Sequence, residues 1–162
     1  MSGWHTALNI FHVVSYVVLV GGLAWMIIVE RWARPEGWRA LATVDRAFRS
    51  TSTLMSVALA SVIFSGLGLF YLTYGAFTWA GESPITSGHV IKLGVFALFW
   101  VHWGWTEVVS LDGLRKHTPP PEAAAPVPEY KKAHQTAWRS LSLLLAESVV
   151  VLALGASTHV FS

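Results

Sequence analysis

The 162-residue chain has no cysteine, only three methionines and few charged residues, which make up 12% of it. Without cysteine there is no disulfide, no thiolate metal site and no cysteine nucleophile. Few methionines also disfavour a copper(I) relay, which usually uses thioether or thiolate ligands. The hydrophobic share of 54% is above that of ordinary soluble domains, so the composition indicates a membrane protein.

Apolar residues form four stretches of about 20 residues each, the length that a helix needs to cross a bilayer. The stretches are continuously apolar, whereas barrel strands would alternate. We therefore predict an all-α fold, a four-transmembrane-helix bundle that forms a single domain over residues 1–162. The predicted spans are approximately residues 7–29, 54–74, 90–109 and 141–160.

The basic residues predict the orientation of this bundle. The loop after the first span carries five arginines, and the loop after the third carries Arg115, Lys116, Lys131 and Lys132, whereas residues 1–6 and 75–88 carry no lysine or arginine. Basic loops stay in the cytoplasm, so both termini should lie outside it, as in a multi-pass protein of a bacterial-type inner membrane. This topology accounts for the net charge of +2, so we expect the lipid bilayer, and no nucleic acid, as a partner.

Two predicted cytoplasmic segments differ in composition from the rest of the chain. Residues 118–130 hold five of the seven prolines and predict an extended linker. Residues 36–49 mix apolar side chains with arginines, which fits either a short interfacial helix or a solvated basic loop. Tryptophans near the predicted membrane boundaries are expected to anchor the bundle, and these are Trp4, Trp32, Trp38 and Trp79.

Ionisable side chains inside a bilayer are expensive, so each is a functional hypothesis. His12 lies in the outer third of the first span, His89 and Lys92 lie in the outer third of the third, and His159 lies at the outer end of the fourth. The glycines of Gly66–Gly68 fall at a comparable depth, where missing side chains leave room for a flat group or for close helix approach.

Imidazole is the usual axial ligand of haem iron, and bundles hold cofactors between facing helices. The outer layer therefore predicts haem b, in one copy or more, with His12 as a ligand and His159, His89 or Lys92 as the second. The alternative is that His89 and His159 are solvated interfacial histidines and that Lys92 extends to the outer interface. Copper, held by His12 and His159, is the less favoured metal.

A second polar pair is predicted near the middle of the bilayer, where His102 of the third span and Glu147 of the fourth have nearly equal depth. A hydrogen-bonded pair that only fixes helix register is one interpretation. The functional alternatives are a proton relay, an acid and base beside a quinone, or a further haem ligand in His102.

The first span reads HVVSYVVLVGGLAW from His12 to Trp25 and is followed by Arg31. This resembles HemJ-type protoporphyrinogen IX oxidases, in which an inward histidine precedes a Gly-Leu pair, an aromatic residue and a basic helix end. His89 and Lys92 before a leucine also look like the family's third helix, although the family has one residue between them and this chain has two. The same outline is similar to the membrane domain of the copper-resistance D family.

The HemJ resemblance implies haem b bound through His12 and Lys92, and oxidation of a porphyrinogen to the porphyrin. From the residues themselves we predict a b-type haem protein that transfers electrons. It could be a subunit of a larger redox complex, and we expect it to work with a membrane or periplasmic redox partner or as a homo-oligomer. The alternatives are a HemJ-like oxidase, a copper-resistance D-like transport module and an accessory membrane subunit without a cofactor. The sequence predicts no particular catalytic residue.

Overall fold

The computed structural model describes residues 3–74 and 87–157, with side chains over 3–49, 51–72 and 93–154. Within these ranges the chain is helical and contains no strand, which confirms the all-α prediction. The elements are α1 (Gly3–Ala33), α2 (Trp38–Tyr74), α3 (Ser87–Trp105), a π-helix (Thr106–Leu111), α4 (Asp112–His117) and α5 (Pro128–Ser157).

Among the described residues, three helical segments are long and apolar enough to cross a membrane. They are Gly3–Ala33, Thr51–Leu72 and Pro128–Leu154. Their outward faces carry large apolar side chains, such as Phe64, which is 73% exposed, and Val17, which is 63% exposed. Such faces are stable in lipid and not in water, so the protein belongs in a membrane.

The reversal between α1 and α2 occurs at Gly37, whose φ of +91° is a conformation that residues with a side chain rarely adopt. α2 then runs without interruption through residues 38–49, so this segment is neither a separate interfacial helix nor a loop. At 1.5 Å per residue the 37 residues of α2 extend about 55 Å, well beyond the roughly 30 Å of a hydrocarbon core. The arginine-bearing end of α2 therefore projects from the apolar layer.

Small residues let α1 and α2 approach closely along the apolar layer. A Cβ atom added to Gly22 of α1 would lie 2.6 Å from Cε of Met55, and one added to Gly68 of α2 would lie 2.7 Å from Cδ2 of Leu8. Each glycine thus receives a side chain of the opposite helix, which is how membrane helices gain contact without a hydrophobic driving force. α5 packs against both α1 and α3.

The proline-rich linker lies against the projecting end of α2. Arg46 Nη1 donates to the Pro119 carbonyl at 2.8 Å, and Arg49 Nη2 donates to the Arg115 carbonyl at 3.0 Å. The linker ends at Val127, because Pro128 begins α5 as the first helical residue, where its missing N–H is not needed. These contacts bring the two basic loops to the same end of the bundle.

Candidate functional site

His12 projects from α1 onto α2. Its Nδ1 lies 2.9 Å from Ser65 Oγ. The Ser65 hydroxyl donates to the Ser61 carbonyl, so the hydrogen between the imidazole and Ser65 belongs to Nδ1. In a neutral imidazole this tautomer places the lone pair on Nε2, as in histidines that coordinate metals while a second partner orients the ring.

The His12 ring lies over Gly66. A Cβ atom added to Gly66 would be 3.1 Å from Cε1 of His12 and 3.6 Å from its Nδ1. We predicted that the missing side chain at Gly66 leaves room for a flat group, and the imidazole of His12 itself occupies this space. Ser65 and Gly66 together fix the position of the ring between the two helices.

The other predicted ligands fall beyond the described side chains. His89 and Lys92 belong to the first turns of α3, whose backbone is described without these side chains, and His159 lies outside the described residues. For a haem, the described residues thus provide one oriented imidazole, which fits an axial ligand, and the second ligand stays a prediction.

His102 and Glu147, which the sequence placed at the same depth, are hydrogen-bonded. His102 Nδ1 lies 2.9 Å from Glu147 Oε1, and His102 Nε2 lies 3.0 Å from Ser140 Oγ. Because both ring nitrogens have hydrogen-bond partners, His102 has no nitrogen left for iron in this arrangement. The contact fits a register-fixing pair as well as an acid–base pair.

Two buried hydroxyls extend this pair. Thr106 Oγ1 lies 2.6 Å from Ser140 Oγ and donates to the His102 carbonyl at 2.8 Å. Thr106 is also where the chain changes from an α-helix to a π-helix, and such segments are frequent at functional sites. The pattern of the sequence gave no sign of this change.

No family model, curated protein or solved structure matches this chain. The resemblance to HemJ-type oxidases and to the copper-resistance D family therefore stays a prediction, and the functional argument rests on the chain's own residues.

Among the residues whose side chains are described, the most buried charged ones form a separate cluster that was not predicted from the sequence. Glu30 of α1 is 1% exposed, Asp45 of α2 is 2% exposed and His134 of α5 is 8% exposed. His134 Nδ1 lies 2.9 Å from Asp45 Oδ2, and its Nε2 lies 3.1 Å from Glu30 Oε1. Since ionised carboxylates only accept hydrogen bonds, both nitrogens must carry hydrogens while both acids are ionised, and His134 is then an imidazolium.

The remaining partners of this cluster are also donors. Asp45 accepts from the Tyr130 hydroxyl at 2.7 Å and from Trp138 Nε1 at 2.8 Å, and Glu30 accepts from Arg34 Nε at 2.7 Å. The imidazole lies between the carboxylates, and no group of three or more such side chains among the described residues is arranged to hold a metal ion. The cluster therefore joins three helices and offers no open coordination position.

One signal for this cluster was present in the sequence. Tyr130, His134 and Trp138 recur every four residues, which places them on one face of a helix. The acidic partners are 89 and 104 residues away along the chain, so their pairing requires the tertiary fold.

Proposed function

We propose that this chain is an integral membrane protein with four spanning helices and both termini outside the cytoplasm of a bacterial-type inner membrane. Three described helices have the length and apolarity for spanning, and α3 with the π-helix runs over the predicted stretch 90–109. The contacts of Arg46 and Arg49 with residues 115–119 support the orientation, since they gather the two basic loops at one end, as positive-inside topology requires.

Within this bundle we propose a haem b site near the outer surface, with His12 as an axial ligand. The observation that carries the proposal is the seating of His12, which Ser65 orients through Nδ1 beside the side-chain-free Gly66. His89, Lys92 or His159 would supply the second ligand. Bound haem would carry single electrons between a membrane donor and a membrane or periplasmic acceptor.

The test is an optical spectrum of the purified full chain, oxidised and then reduced with dithionite, together with a pyridine haemochrome assay. Sharp reduced bands of a low-spin b-type haem are the expected result. The His12→Ala variant should lose the haem, whereas His117→Ala, which removes an imidazole at the opposite end of the bundle, should keep it. Full haem content in His12→Ala would overturn the assignment.

Ser65→Ala tests the orienting role separately from ligation. Without the hydroxyl partner the imidazole remains but is free to rotate, and we expect haem affinity to fall by about 10–100-fold. Haem titration of the apoprotein measures this change. A protein that stays colourless after haem supplementation would instead favour the accessory subunit, and rescue of a porphyrin-synthesis mutant would favour the HemJ-like oxidase.

A further inference from the structure

His102 links two levels of the membrane interior. Ser140 and Glu147 are seven residues apart on α5, which separates them by about 10 Å along the helix axis. The imidazole of His102 lies between them, with Nδ1 2.9 Å from Glu147 and Nε2 3.0 Å from Ser140. One ring from α3 thus makes a continuous hydrogen-bonded connection across this distance.

Thr106 continues the connection toward the end of the bundle that carries the basic loops. Its hydroxyl oxygen is 2.6 Å from Ser140 Oγ, and its side chain is fully buried. Glu107 follows Thr106 directly and Ser110 lies about one helical turn further, and the Glu107 Oε2 and Ser110 Oγ atoms are buried and have no hydrogen-bond partner among the described residues. Buried polar atoms of this kind are usually bridged by water. Glu107 is paired with Arg115, and both side chains are partly exposed.

The number of available hydrogens distinguishes two protonation states of the connected groups Glu147, His102, Ser140 and Thr106. Thr106 and Ser140 have two hydroxyl hydrogens for three contacts, namely Thr106 to the His102 carbonyl, Thr106 to Ser140 and Ser140 to His102 Nε2. All three are satisfied only when Nε2 carries a hydrogen. Because Nδ1 also shares a hydrogen with Glu147, the fully bonded state has two protons on the His102–Glu147 pair, which is then neutral overall.

The pair lies between helices of the apolar layer, where a net charge is unfavourable. The Glu147 side chain is 38% exposed on a helix that crosses the apolar layer, and its Oε2 atom is buried without a partner among the described residues. The carboxyl group is therefore hydrogen-bonded through Oε1 only, and an unsatisfied buried oxygen is unfavourable. Among the described residues, the titratable or charged side chains on the facing segments include Tyr16 of α1, which donates to the Ser148 carbonyl, Glu107, which pairs with Arg115, and the exposed Arg139.

We propose that Glu147, His102, Ser140 and Thr106 form a proton-transfer site in the membrane interior, whose ligand is a single exchangeable proton. In the deprotonated state Thr106 donates to Ser140, and Ser140 donates to Nε2. A proton delivered by water bonds to the Thr106 oxygen, the former Thr106 hydrogen passes to Ser140, and the former Ser140 hydrogen passes to Nε2. A hydronium ion thereby becomes water, and the hydrogen on Nδ1 passes to Glu147 Oε1. The His102–Glu147 pair has gained one proton and is now a neutral imidazole and a carboxylic acid, with both hydroxyls pointing the opposite way.

The experiment is an infrared pH titration of the full chain, unlabelled and with isotope-labelled histidine, in lipid nanodiscs from about pH 5 to about pH 8. We expect a carboxylic acid band and a label-sensitive histidine band to change together. Glu147→Gln should abolish the carboxylic acid band and uncouple the histidine change from it. Glu129→Gln, which removes an exposed carboxylate from the first turn of α5, should preserve both.

Ser140→Ala separates proton transfer from a purely structural role. Loss of the hydroxyl breaks the link between Nε2 and Thr106, so hydrogen–deuterium exchange at His102 should become about tenfold slower. Ser142→Ala, at an exposed position of the same helix, should leave the exchange rate unchanged. If Ser140→Ala exchanges at the wild-type rate, or if neither band titrates in the labelled wild-type protein, the pair only fixes helix register.

The titration of the labelled wild-type chain tests the proposal even if a variant does not fold. It is also independent of the haem proposal, because infrared bands of His102 and Glu147 are measured equally well in a colourless protein. A colourless protein with coupled titration would refute the haem and keep the proton site. A haem-containing protein in which neither band titrates would support the haem proposal and refute the proton site.

Discussion

Glu30 and Asp45 are carboxylates from different helices that share one imidazole, His134. Removing ions from water is costly, and the mutual attraction of a buried cluster offsets that cost only when each group is well paired. With both acids ionised, His134 is an imidazolium that faces one carboxylate at each nitrogen, and Arg34 faces Glu30 as well. The stability of this end of the bundle therefore depends on the positive charge of His134.

His134→Ala should destabilise the protein by about 3–5 kcal/mol, because it leaves two buried carboxylates facing each other without the shared cation. Thermal unfolding in detergent measures the loss as a lower Tm. His117→Ala is the matched control and should leave Tm nearly unchanged. Adding Glu30→Gln and Asp45→Asn to His134→Ala should recover part of the loss, since the repelling charges are then absent; no recovery would argue against an electrostatic role.

Some contacts of individual residues could be predicted from the sequence. The sequence placed His12 level with Gly66, and His102 level with Glu147, and each pair is in contact. Depth along a helix can be counted from the sequence because the rise per residue is constant. The hydrogen-bond partners of the rings could not be predicted, since they depend on how each helix is rotated against its neighbours.

Among the elements, α1 and α2 meet through neighbouring glycines with opposite surroundings. A Cβ atom on Gly22 would lie 2.6 Å from Cε of Met55, whereas one on Gly21 would have no atom within 4 Å. The two positions lie on the same helix at nearly the same depth. Substitutions at them therefore distinguish the effect of packing against α2 from the effect of the low helix propensity of glycine.

Gly22→Val should therefore cost about 1–3 kcal/mol, since the added methyl groups force Met55 and α2 away from α1. Gly21→Ala should be neutral or slightly stabilising, because alanine favours the helix and meets open space. Thermal unfolding of both variants under one condition provides the comparison. Equal Tm values for Gly22→Val and wild type would show that the helices are not in close contact there.

Some features of the helices could not be predicted from the sequence pattern. Apolar runs predicted the helices because spanning length and continuous apolarity are read directly from composition. They did not predict the π-helix over Thr106–Leu111, since one additional residue per turn barely alters a continuously apolar pattern. Nor did they predict that residues 38–49 belong to the same helix as the span that follows. The pattern of a polar segment beside a span does not show whether the helix continues or ends between them.

For the whole molecule, the proposed orientation can be tested directly because the chain has no cysteine of its own. Gly3→Cys and Ala124→Cys each introduce one thiol at an exposed position, at the N-terminal end of α1 and in the proline-rich linker. In intact cells a membrane-impermeant maleimide should label Gly3→Cys, and it should label Ala124→Cys only after permeabilisation. The opposite pattern would reverse the orientation, and labelling of both in intact cells would refute the four-span topology.

The salt cluster also has a consequence for the order of biosynthesis. After Asp45 is made, the ribosome must add 89 residues before His134 exists, so the α1–α2 hairpin is synthesised with two acidic side chains still lacking their shared cation. A nascent chain that ends before α5 would present this negative pair to the insertion machinery and to membrane proteases. Arrival of His134 then supplies the cation that bonds both acids, so the cluster can form only after α5 is made.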